Sequence, residues 1–91
     1  MNLRNYFKDK PVLKAYLFGS FARGDANLKS DLDILVELDY SKRIGTQYFT
    51  MQFELASLLE KRADLVSEKA LSRHIRPFVE KDKFLIYERT A

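Results

Sequence analysis

Three aspartates and a glycine–serine turn are the residues of this chain whose types and spacing can do chemistry. The turn is Gly19-Ser20 in GSFARG at 19–24, and Asp31 and Asp33 stand in SDLD at 30–33. The apolar run Val12–Phe18 leads into the turn, and a second run, Asp31–Leu38, opens on the acids. A strand that ends in a Gly-Ser turn offers backbone N–H groups to phosphate oxygens. Two aspartates at i, i+2 on a strand share one face, because strand side chains alternate with period 2. Such a pair suits Mg²⁺, which takes few protein carboxylates and keeps several waters. Asp64, in RADLV, falls in the next short apolar run and is the best candidate for a third acid. A phosphate cradle beside a hard-cation site is equipment for nucleotide chemistry. In phosphoryl and nucleotidyl transfer positioning and electrostatics dominate, and two Mg²⁺ can clamp the attacking and leaving oxygens.

Each feature alone has a plainer reading. A lone D-x-D at a strand start is usually a solvated turn, Gly-Ser can simply end a strand, and a charge such as Asp64 can protect a sheet edge. The joint pattern, G-S-x-A-R-G and S-D-x-D across the spacer 25–29, is far more specific.

The elements that must position these residues follow from periodicity. Leu3, Tyr6 and Phe7 sit at helical spacing ahead of Pro11. Val12–Phe18 reads as a strand, 19–24 as a short helical turn with Ser20 as N-cap and Gly24 as its stop, and 25–30 as polar loop. In the strand Asp31–Leu38, Leu32, Ile34, Val36 and Leu38 share one face; Asp31, Asp33, Leu35 and Glu37 share the other, open face. Ile44, Tyr48, Met51, Leu55, Leu58 and Leu59 define a helix of about four turns. Ala63–Ser67 reads as a third strand, Leu71–Val79 as a helical pattern broken or started by Pro77, and Phe84–Tyr87 as a small apolar terminal segment that could add a last short strand. The fold class expected is α/β (α+β): a small mixed sheet of three to four strands with helices mainly on one face. Tyr48, Phe49 and Phe53 are expected to pack in the core, with a partner-facing patch as the alternative, and His74 to be an exposed or capping residue.

Composition narrows the classes. Ninety-one residues suit one domain, 1–91. The net charge of +3 is spread along the chain without a basic block, so direct nucleic-acid binding is not indicated. With no cysteine there are no disulfides or thiolate metal sites, and one histidine cannot build a His-based zinc site. MNLRNYFKDK has no signal-peptide core and no apolar stretch reaches a membrane span, so the expected location is the cytoplasm.

GSFARG…SDLDILVE resembles the defining motif of the minimal nucleotidyltransferases, within the DNA polymerase β-like nucleotidyltransferase superfamily. The likeness runs through nearly the whole chain. It implies Mg²⁺-dependent transfer of a nucleoside monophosphate from a triphosphate such as ATP, with release of pyrophosphate. By position, Gly19 and Ser20 would bind the triphosphate, and Asp31, Asp33 and Asp64 would hold two Mg²⁺ and be catalytic. Arg23 matches the family's arginine, either touching phosphate or, as the favoured reading, bracing the loop against Asp31. Minimal nucleotidyltransferases of this size resemble the antitoxin half of a toxin–antitoxin pair, transferring AMP to a tyrosine of a helical HEPN ribonuclease. The resemblance thus implies an AMPylating antitoxin. Alternatives are a non-catalytic binding module and an aminoglycoside-type enzyme completed by a second chain. A homo-oligomer is compatible with the sequence; nothing in it selects the base.

Overall fold

The structure is a computed structural model that describes residues 3–27 and 29–90. Leu28, within the stretch expected as loop, lies outside the described residues. The elements run α1 (Leu3–Phe7), β1 (Val12–Phe18), α2 (Ser20–Arg23), β2 (Leu32–Leu38), α3 (Gln47–Leu59), β3 (Ala63–Ser67), a 3₁₀ turn (Glu68–Ala70), α4 (Arg76–Asp82) and β4 (Phe84–Glu88). The strands form one mixed sheet in the order β3-β2-β1-β4. β1 is antiparallel to both β2 and β4, and β2 is parallel to β3. The mixed four-stranded sheet and the terminal strand agree with the sequence reading.

One face of the sheet carries the core. Ala15, Ile34, Val36, Leu65 and Tyr87 pack there with Phe7 of α1 and with Met51 and Leu55 of α3. Alternation in β2 puts Leu32, Ile34, Val36 and Leu38 on this side, and all are buried. The opposite face is not open along its length: Leu35, on the same face as Asp33, is only 1% exposed. The chain leaving β3 at one edge must cross this face to reach β4 at the other edge. Lys83, just after α4, lies over the Tyr16 ring on that face, 4.4 Å from its centroid.

Several boundaries differ from expectation. α3 begins at Gln47, so Ile44 packs on the core from the preceding loop. Phe49 and Phe53 are exposed, at 65% and 79%, and so is Leu58. They lie away from the stripe of Tyr48, Met51, Leu55, Ala56 and Leu59 that packs on the core. Tyr48 does reach inward and donates its hydroxyl to the Leu65 carbonyl. α4 starts at Arg76 with Pro77 in its first turn, where proline's missing N–H costs nothing. His74 is exposed, as expected.

A polar latch closes the end of the sheet remote from the acids. Arg89 pairs with the buried Asp39 that follows β2, and donates to the Lys10 carbonyl at 3.1 Å. Hydrogen bonds from Ser41, then Arg89, hold the Asp39 carboxyl down at about 2. Leu55 is fully buried where α3 meets the sheet. Leu55→Ala is expected to destabilise the fold by roughly 2–5 kcal/mol, read as a lowered urea midpoint with unchanged slope.

Candidate active site

The pairing of β1, β2 and β3 sets a row of residues across one face. Phe18 stands opposite Asp33, and Asp33 opposite Asp64. Asp33 and Asp64 are therefore nearest neighbours on parallel strands, facing the same way. Asp31 is not in the strand; it lies one residue before β2, partly buried. The i, i+2 pair therefore places one acid on rigid sheet and the other on the entering loop.

Gly19 joins β1 to α2 with φ 76° and ψ −151°. Residues with a side chain rarely adopt such a backbone. A Cβ at Gly19 would also collide with Asp33 Oδ2 and lie 3.3 Å from Asp33 Cγ. The turn backbone thus lies against the carboxylate, which only glycine permits. Gly19, not Ser20, occupies the N-cap position, and no side chain caps the helix; Ser20 is its first residue. The first N–H groups of so short a helix have no intrahelical acceptor. Gly24 ends α2 in the left-handed conformation, its N–H donating to the Phe21 carbonyl, while Asp25 N–H reaches Ser20.

Arg23 braces this turn, but not against Asp31. Its Nη1 donates to Asp82 of α4 at 3.0 Å and its Nε to Asp25 at 3.2 Å. The Asp82 contact links the turn to the chain that crosses the acid face. The sequence could not pick out Asp82, because the pairing depends on where α4 returns.

Burial pushes the Asp33 carboxyl above its ordinary value, the charges of Asp64 and then Asp31 push it further, and Arg23 opposes them. Asp33 and Asp64 line one pocket of about 480 Å³ on the acid face, together with Ala70, Leu71, Ser72 and Ile75 from the chain after β3. Among the described residues, no three His, Cys, Asp or Glu side chains gather into a ready-made metal site. The donor chemistry nonetheless fits a hard divalent cation: two strand-borne carboxylates, whose mutual repulsion Arg23 offsets only in part, beside a turn suited to phosphate oxygens, which would serve as further ligands.

The sequence matches the family described as Polymerase beta, Nucleotidyltransferase over residues 1–91. A Methanocaldococcus jannaschii protein named "Putative protein adenylyltransferase" is 36% identical over 90 residues, spanning 92% of this chain and 85% of that protein. A solved structure described as a "putative minimal nucleotidyltransferase" superposes with TM-score 0.68 at 32% identity, covering 90% of this chain and 80% of the other. Two further structures share the fold. One is a toxin–antitoxin crystal structure with AMP-PNP (TM-score 0.74, 24% identity, 93% and 68% coverage). The other is a tri-AMPylated Shewanella oneidensis HEPN toxin in complex with MNT antitoxin (0.65, 21%, 92% and 63%). The chain belongs to the polymerase beta nucleotidyltransferase family, and its class of activity is nucleotidyl transfer.

Two outcomes test this geometry. Gly19→Ala should destabilise the fold by at least about 1–3 kcal/mol, because the strained φ and the collision with Asp33 coincide. Folded Asp33 keeps its proton to higher pH than the unfolded chain, so its ionisation opposes folding. Stability should fall as pH rises from about 4 through the raised value, then stay lower. Asp33→Asn should therefore melt higher than wild type at pH 7, with the difference closing below about pH 4. A variant that melts lower at pH 7 would make Asp33 a structural hydrogen-bonding residue.

Proposed function

We propose that this chain is a Mg²⁺-dependent protein adenylyltransferase that moves AMP from ATP to a tyrosine hydroxyl of a helical HEPN partner, and so acts as an antitoxin. The observation that carries the reading is the row Asp33–Asp64 set beside the Gly19 turn. The names of the relatives support it: an adenylyltransferase, and MNT antitoxins seen with HEPN toxins. In this reading Gly19 and Ser20 hold the triphosphate through backbone N–H groups. Asp33 and Asp64, with Asp31 at the loop edge, hold the cations. When bound, Mg²⁺ neutralises phosphate charge and lowers the pKa of the acceptor hydroxyl. Arg23 serves as a brace that fixes the cradle relative to α4. Among the described residues no helix is long and apolar enough to cross a membrane; action in the cytoplasm is part of the proposal.

The test is transfer of α-labelled ATP in Mg²⁺ buffer to a co-encoded helical protein. Wild type should label that protein on tyrosine, and Asp33→Asn should reduce labelling by on the order of 10²–10³-fold while remaining folded. Tight complex formation without label would make this chain a binding module. Efficient labelling of kanamycin with no partner present would make it a small-molecule enzyme.

A further inference from the structure

β4 forms one edge of the sheet, at the opposite side from β3 and Asp64. Its backbone is turned outward at Glu88. Lys14 and Glu88 stand directly opposite across β1 and β4, and the N–H of the next residue, Arg89, reaches inward to the Leu13 carbonyl at 2.8 Å. Backbone groups alternate in direction along an antiparallel pair, so the Glu88 N–H and C=O face away from β1. Beside that edge runs a groove of about 730 Å³ between β4 and α1, with Leu85 and Ile86 among its lining. We infer that this groove receives an extended acidic segment of another protein, which adds a strand beside β4 and sets its carboxylates against Arg4 and Lys8.

Three observations carry the inference. The first is the open edge. A peptide strand beside β4 supplies both a donor for the Glu88 carbonyl and an acceptor for its N–H, whereas phosphate groups supply acceptors alone. The regular part of the edge is short, because the register of β4 against β1 shifts between Ala15 and Tyr16. Side-chain contacts must therefore add to the backbone pairing. The second is charge. Arg4 in α1 and Lys8 just after it are one helical turn apart, the Lys8 N–H donating to the Arg4 carbonyl at 3.1 Å, so both lie on one side of the helix. Phe7 fixes α1 over β4 by packing on Tyr87, with ring centroids 5.5 Å apart. Among the described residues that line the groove, Arg4, Lys8 and Arg89 stand against one acid, Glu88, and Lys14 already pairs with that acid at 3.5 Å. Acidic side chains on an incoming strand meet an excess of positive charge. The third is what the edge rejects. Two copies of this chain joined edge to edge about a two-fold axis bring two basic walls together, and pairing centred on Glu88 sets that acid opposite itself.

The groove and the pocket at Asp33 and Asp64 share no lining residue. A segment held at β4 thus leaves the carboxylate pocket open and tethers its owner to this chain.

The probe is a capped hexapeptide alternating glutamate and valine, titrated into the full chain and followed by amide NMR and fluorescence anisotropy. It should shift the Glu88 and Thr90 amides, slow exchange of the Glu88 N–H with solvent, and leave the Gly19 and Ser20 amides in place. Arg4→Glu with Lys8→Glu, both at exposed positions, should weaken binding by about tenfold at low salt and should favour the same peptide with lysine in place of glutamate. The neutral pair Arg4→Gln with Lys8→Gln should weaken it less, in the same direction. Glutamate and lysine peptides that bind wild type equally would overturn the charge assignment. A glutamate peptide methylated at its backbone nitrogens that binds as well as its parent would overturn strand addition. A uridine oligonucleotide that shifts these amides in preference to the peptide would make the groove a nucleic-acid site and overturn the inference. So would an edge-to-edge dimer of this chain, or a peptide that moves neither Glu88 nor Thr90.

Discussion

The backbone of Gly19 and the carboxylate of Asp33 lie in contact, and the rest of the site is arranged around that contact. Pairing puts Phe18 opposite Asp33, so the chain leaving β1 must turn at once beside an acid. A left-handed φ and the absence of a Cβ are both required there, and glycine alone supplies them. The turn then launches α2, whose last residue, Arg23, reaches Asp82 and ties the cradle to the chain crossing the acid face. One packing constraint thereby couples the Gly19 turn, the strand-borne acids and α4.

The two ends of β2 handle charge in opposite ways. At its far end Asp39 has Ser41 and Arg89 as partners, and its depressed pKa adds stability at neutral pH that is lost as pH falls toward about 2. At the near end Asp33 faces Asp64 and Asp31, and its raised pKa means that ionisation opposes folding. Asp39 anchors the sheet; Asp33 stores repulsion, which a cation bound as proposed would relieve. Spending stability at a site that must bind charge is a common trade in enzymes.

Much of this was legible in the residues. Alternation in Leu32–Leu38 and the breaks at Gly19, Gly24 and Pro11 gave the strands and turns, because backbone restrictions act locally. Asp64 was placed beside Asp33 by the apolar run around it, and the parallel register agrees. What local pattern could not reveal depends on distant chain. Phe49 and Phe53 read as core but are exposed, since only one stripe of α3 meets the small sheet. Leu35 read as open-faced, yet the crossover from β3 to β4 covers it. Arg23 read as a brace, but its partner Asp82 is 59 residues away in sequence. Ser20 lost the cap position to Gly19 because the turn had to pass under Asp33.

The central claim is that the Gly19 turn and the carboxylate row form one site for a nucleotide with its cation. Thermal melting of the wild-type chain with and without Mg²⁺ and AMP-PNP together tests it most directly. A ligand that binds only the folded state at about 100 times its Kd adds ~2.7 kcal/mol, which raises Tm by roughly 10–20 °C in a domain of this size. The account predicts a rise of that order when both are present, and little change with either alone. Melting curves that superpose in all four conditions would contradict it.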